Sequence, residues 1–173
     1  MKKSAADKQP LTAEEKRKRT FDRAVKLISA KSRSVAELRE RLLQGRNSSK
    51  VDVEAVISRL KEYGYLDDER FAFSYASLRI KQRPIGRRRL ERDLKLKKID
   101  SAVSDEALGL VYAETPEDEL IDRAIERRIR IKGKPKNRLE AKSPFDHLLR
   151  QGFSLELVSE KVRALSLASL DEE

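Results

Sequence analysis

The sequence predicts an all-α protein, and three observations predict it. Charged residues make up 40% of the 173-residue chain and aromatics only 5%, a balance that suits helices with wide solvated faces and narrow apolar stripes. Helix start and stop signals recur from Phe21 onward, and no long alternating apolar/polar run marks a strand. A leucine pair one turn apart also recurs, first as Leu38 and Leu42 and then, 52 positions later, as Leu90 and Leu94.

The recurrence extends to a third copy. Leu148 follows Leu94 by 54 positions, with Pro144 where the first leucine of the pair would stand. Each pair is preceded by an apolar helix and followed by another: "VDVEAVISRL", "SAVSDEALGLVY" and "LELVSEKVRAL". The expected architecture is an elongated tandem array of three three-helix repeats. Such small units bury little alone and gain by stacking on their neighbours. A flexible basic tail is expected over residues 1–19, repeats over 20–66, 67–114 and 115–167, and an acidic end over 168–173.

Each element has its local signal. In the first repeat, "SVAE" puts Ser34 at an N-cap with Glu37 three residues on, a capping box. In the second, "RPIG" predicts a helix start at Pro84. In the third, "TPED" predicts Thr115 as N-cap and Pro116 at the first helical position, with acids in the first turn. "SPFD" repeats that logic from Ser143, and Gly64 and Gly152 read as helix stops.

The stretch "GYLDDERFA", residues 64–72, has two readings. Its acids can hold a metal, or they can start a helix. With Asp67 as N-cap, its carboxylate accepts from free backbone N–H groups. Asp68 and Glu69 then sit in the first turn, where the helix dipole favours each by roughly 0.3–1 kcal/mol. Leu66 and Phe71 take the positions of a hydrophobic staple, and Gly64 and Tyr65 close the preceding helix. A carboxylate metal site lacks a clear third ligand here and has no nearby histidine. The stretch therefore reads as a structural joint between two repeats.

Composition narrows function further. The chain has no cysteine and one histidine, His147, which excludes disulfides, thiolate chemistry and multi-histidine metal sites. No phosphate-binding glycine loop is present. No catalytic, cofactor or metal site is expected. No apolar run approaches the roughly 20 residues that cross a bilayer. The lysines of "MKKSAADKQP" precede no apolar segment, so a secretory signal is not expected and a cytoplasmic location is.

Charge is distributed unevenly. The net charge is +10. Residues 79–98 hold ten Lys/Arg against Glu91 and Asp93, and residues 127–142 hold eight against Glu140. On a helix turning about 100° per residue, Arg88, Arg92 and Lys95 fall within about 60° of one another, opposite Leu90 and Leu94. Arg89 lies close by. Like charges at these spacings repel, so a ligand explains the stripe better than folding does. A solvated face is the competing reading. A second stripe, Arg123, Arg127 and Arg130, lies opposite Leu120, Ile121, Ala124 and Ile125, flanked by Asp122 and Glu126. Beyond it, the loop "KGKPKNR" offers Lys132, Lys134, Lys136 and Arg138 to a polyanion. Tyr63, Tyr65, Phe71, Phe73 and Tyr75 mostly read as core, which leaves base stacking without an exposed aromatic.

"GYLDDERFA" followed by "RPIGRRRLERDLKLKKI" resembles the RecX family, bacterial regulators of the RecA recombinase. "RAVKLISAKSRSVAELRERL" is similar to that family's opening unit and "LLRQGF" to its third. Two departures stand out: Lys98 occupies the family's usual glycine position, and Pro144 replaces a leucine. The resemblance implies an arc of three-helix repeats. It also implies binding along the groove of a RecA–DNA filament and restraint of filament growth. The candidate contact residues are Arg87, Arg88, Arg89, Arg92, Lys95 and Lys98 in the second repeat. In the third they are Arg123, Arg127, Arg130, Lys132, Lys134, Lys136 and Arg138. The expected partners are RecA filaments and single- or double-stranded DNA, met by a monomer. A basic helical DNA-binding protein without a recombinase target is the alternative.

Overall fold

A computed structural model describes residues 12–45, 49–135 and 138–168. Among these residues every regular element is an α-helix, and there are nine. They are α1 (Ala13–Ala30), α2 (Val35–Leu43), α3 (Lys50–Glu62), α4 (Asp68–Gln82), α5 (Arg87–Leu96), α6 (Ser101–Glu114), α7 (Glu117–Lys132), α8 (Arg138–Gln151) and α9 (Leu155–Ala168). The chain divides into two compact units, Met1–Asp67 and Asp68–Glu173.

The first unit is the bundle α1–α3. Its start lies inside the segment expected to be tail. Thr12 accepts from the Glu15 N–H, and the Glu15 carboxylate accepts from the Thr12 N–H at 2.9 Å, a complete capping box. That box nucleates α1 at Ala13. The predicted box at Ser34 and Glu37 is present at the start of α2. Ala24, Leu38, Leu42, Val53 and Leu60 are fully buried in one core with Val56, Ile57 and Leu66. Polar ties surround it. Arg39 grips Glu54 through two bonds, 2.7 and 3.1 Å, between α2 and α3. Arg23 donates to the Arg41 and Leu42 carbonyls at the end of α2.

The second unit, α4–α9, holds two three-helix repeats around one continuous core. Leu90 and Leu94 are fully buried, as are Leu120, Ile121 and Leu148. Asp93 accepts from Arg79 at 3.2 Å, tying α5 to α4. Lys161 on α9 bridges Asp118 and Asp122 on α7 at 2.9 Å each.

The two repeats of this unit meet through backbone. Gly86 N–H donates to the Gln151 carbonyl at 3.0 Å, and Arg88 N–H to the Gly152 carbonyl at 3.2 Å. A Cβ on Gly86 would stand 2.3 Å from the Gly152 carbonyl carbon, and one on Gly152 would stand 2.4 Å from the Arg89 nitrogen. No side chain fits such spacing. Gly152 also takes φ +92, which favours glycine.

Several helix boundaries differ from the sequence expectation. α5 begins at Arg87 with Gly86 as N-cap, not at Pro84, because the cap comes from another element. The Arg87 N–H donates to the Glu117 carboxylate at 2.9 Å, so the third repeat satisfies the free amides of α5. α7 begins one residue late, with Pro116 as N-cap. α8 starts at Arg138 and carries Pro144 inside it, not near its start. Burial of Ala141 anchors the extra turns before the proline.

Candidate partner-binding surface

α5 is built with its cations out of the core. Leu90 and Leu94 fix one face, and the periodicity then turns Arg88, Arg92 and Lys95 outward, all exposed. Among the described residues none of the three has an acidic partner; Arg92 donates only to the Arg88 carbonyl, at 3.3 Å. Arg87, Arg88 and Arg89 occupy the first turn, where the helix dipole disfavours positive charge. Leu96 extends the stripe by one more turn from Arg92 and is 79% exposed. An apolar tip among cations was not singled out by charge counting, although its spacing was readable.

The remaining α5 candidates do different work. Arg87 is held by Glu91 at 3.1 Å and reaches Asp105 at 3.9 Å, so it belongs to a structural network. Arg89 is half-buried and donates to the Arg150 carbonyl at 3.3 Å across the repeat junction. Lys98 is exposed in the turn after α5 with φ 57, the left-handed conformation its usual glycine would favour.

The α7 stripe is divided. Arg123 pairs with Glu119 at 3.4 Å, while Asp122 is engaged by Lys161. Arg127 and Arg130 are exposed. α7 runs through Lys132 and ends at Gly133, φ +82, so the expected loop is shorter than residues 132–138. Lys132 and Lys134 are exposed. Lys136 lies outside the described residues, as does the side chain of Arg138.

A groove of about 250 Å³ opens beside α7, and Arg83, Arg127, Arg128, Lys132 and His147 line it over Pro84, Ala124 and Ile131. Arg128 donates to Ser143 Oγ at 2.7 Å. Burial pushes the His147 imidazole below its ordinary pKa, and Arg128 and Arg150 add to that. The sequence does not single out Arg83 or Arg128; the folding of α7 and α8 against the segment after α4 makes them neighbours of His147.

The joint residues are placed as follows. α4 starts at Asp68, which puts Asp67 at the N-cap position. Leu66 is buried in the core of the first unit and Phe71 in that of the second. Gly64 follows α3 with φ +69. Tyr63 and Tyr65, expected in the core, are 52% and 63% exposed, and their rings meet edge-on at 6.3 Å. Arg59 lies over Tyr63 and over Phe21 at 5.4 and 5.3 Å, so these aromatics pack against a cation at the surface. Among the described residues no group of three acidic or histidine side chains is placed to hold a metal, and no helix is long and apolar enough to cross a membrane.

Comparison with known proteins locates this geometry. Residues 67–108 match the family model for the second three-helix domain of RecX. The regulatory protein RecX of Vibrio parahaemolyticus is 30% identical over 139 residues, covering 79% of this chain and 84% of that protein. That of Bacillus subtilis is 34% identical over 143 residues, covering 82% of this chain and 53% of that protein. That of Treponema pallidum is 36% identical over 104 residues, 60% of this chain and 63% of that protein. The chain thus matches between about half and under two thirds of the latter two relatives' length. In fold, it resembles the crystal structure of RecX from Lactobacillus salivarius. The TM-score is 0.76 at 19% identity, over 89% of this chain and 99% of that one.

Proposed function

The chain belongs to the RecX family, and from that premise we propose that it regulates the RecA recombinase by binding along the RecA–DNA filament. There it limits filament extension and activity in recombination and DNA repair, in the cytoplasm and without chemistry of its own. The observation that carries the reading is the α5 stripe. Arg88, Arg92 and Lys95 are exposed, without acidic partners among the described residues, on the helix whose other face holds the core. Exposed Leu96 on the same stripe favours a protein surface with acidic groups over phosphate alone. Protein interfaces centre on apolar anchors of this kind.

The test is co-sedimentation with RecA assembled on single-stranded DNA, against the same DNA alone, for the wild type and the variant R88E/R92E/K95E. The variant is expected to keep its helix content and to lose filament binding and inhibition of strand exchange. Its binding to DNA alone is expected to fall only modestly. A folded variant that still inhibits at wild-type concentrations refutes this surface. Equal losses on filament and bare DNA favour the reading as a general DNA-binding protein.

A further inference from the structure

The groove beside α7 collects charge that neither folding nor the α5 stripe explains. Four cations, Arg83, Arg127, Arg128 and Lys132, line one opening, and no lining residue is acidic. Arg83, Arg127 and Lys132 have no acidic partner among the described residues, and Arg128 is fixed by the neutral Ser143 hydroxyl. Arg83, Arg127 and Lys132 are exposed and Arg128 half-buried, so the opening presents several cationic donors to one anionic ligand. Three separate pieces of chain supply the cations and their neighbour: Arg83 from the segment after α4, the other three from helix α7, and His147 from helix α8. That convergence is what periodic placement of surface charge does not give.

We infer that this groove is a binding site for the phosphodiester backbone of a single strand, held by Arg83, Arg127, Arg128 and Lys132, with His147 as a proton-linked contact. The apolar floor of Pro84, Ala124 and Ile131 gives sugars a surface to lie on. His147 is the group through which the site senses pH. The charges that face it are cationic: Arg128, Arg127 and Lys132 from α7, Arg83 from the segment after α4, and Arg150 from its own helix, where Asp146 is its sequence neighbour. Burial, and after it Arg128 and Arg150, hold the imidazole below its ordinary pKa in the free protein. A bound phosphate reverses the local field and favours the imidazolium. Affinity then rises as pH falls through the histidine range and levels off once the imidazole is protonated in the free protein too. This inference does not require a recombinase; it stands on the groove alone.

The chain's single histidine makes the experiment direct, because one imidazole signal reports on the site. We would titrate the His147 Cε1–H resonance of the full chain against pH. The titration would be run alone, with a saturating short oligothymidylate lacking terminal phosphates, and with inorganic phosphate. The expected result is a midpoint below that of free histidine for the protein alone, and a clear upward move with the oligonucleotide. R127E/K132E, with helix content retained, should lose that move and flatten the log–log salt slope of oligonucleotide binding by about 1.4, at about 0.7 per lost contact. His147→Gln should bind equally at alkaline pH without the acid-side gain; if it fails to fold, the wild-type titration decides alone. A midpoint that saturating oligonucleotide leaves in place overturns the inference. So does one that moves with inorganic phosphate only, since the groove then serves a free ion. Because no recombinase is present, either failure leaves the filament reading untouched.

Discussion

Lys98 stands where the backbone wants glycine. Its φ of 57 lies in the left-handed region, which costs a side-chain-bearing residue roughly 1 kcal/mol. Lys98→Gly is therefore expected to raise stability by about that amount, read as a higher thermal midpoint; a lower midpoint would mean that the lysine's contacts outweigh the strain. Gly152 presents the opposite case. At φ +92, with the Arg89 backbone 2.4 Å from where a Cβ would stand, it has no room for alanine. Gly152→Ala should cost roughly 2–4 kcal/mol, combining backbone strain with overpacking. A denaturant midpoint close to wild type would contradict that. These two sites also measure what a sequence can tell. The family pattern marks position 98 as a glycine position. Gly86 carried no such mark, because its constraint comes from Gly152 and Phe153, distant in sequence.

At the scale of the element, α5 shows why helix presence was legible and helix ends were not. The leucine spacing of Leu90 and Leu94 sets the buried face, and it alone turns Arg88, Arg92 and Lys95 outward. The start of α5 is set by Glu117, a residue from another repeat whose carboxylate accepts the Arg87 N–H. No local motif encodes that partner. Glu117→Ala should destabilise the second unit by roughly 0.5–2 kcal/mol, the usual loss for an N-cap. An unchanged thermal midpoint would show that water caps α5 equally well. At α4 a local residue stands ready instead: Asp67 occupies the N-cap position, and Asp67→Ala is expected to cost a similar roughly 0.5–2 kcal/mol. That loss should appear in stability, with filament binding per folded molecule unchanged. The aromatics mark a further limit. Phe71, read as core from its place in the first turns of α4, is buried, but Tyr63 and Tyr65 follow the end of α3, where helical spacing no longer dictates a face, and both are exposed.

At the scale of the molecule, the repeats are alike in sequence and unequal in how they close their cores. The first unit buries Leu38, Leu42, Val53 and Leu60 within α1–α3 alone. The second and third repeats share one core, in which Leu90 and Leu94 join the same cluster as Leu120, Ile121, Leu148 and Phe153. Backbone bonds from Gly86 and Arg88 and the cap from Glu117 cross the same junction. Removing a repeat should therefore have different consequences at the two ends of the second repeat. A fragment of residues 68–173 retains every residue of its core and every bond of the glycine junction, so it should melt in one cooperative transition with the helix content of its native segment. A fragment of residues 68–115 loses Glu117, Gln151 and Gly152 together. The first turn of α5 then faces water with three arginines and no cap, and the core of Ile85 and Leu90 loses Leu120, Ile121, Leu148 and Phe153 from its cluster. That fragment should show weak helicity and no cooperative transition by circular dichroism. If it instead melted cooperatively with native-like helicity, the second repeat would be an autonomous domain, and the glycine junction would be a contact between finished parts and not a condition of folding.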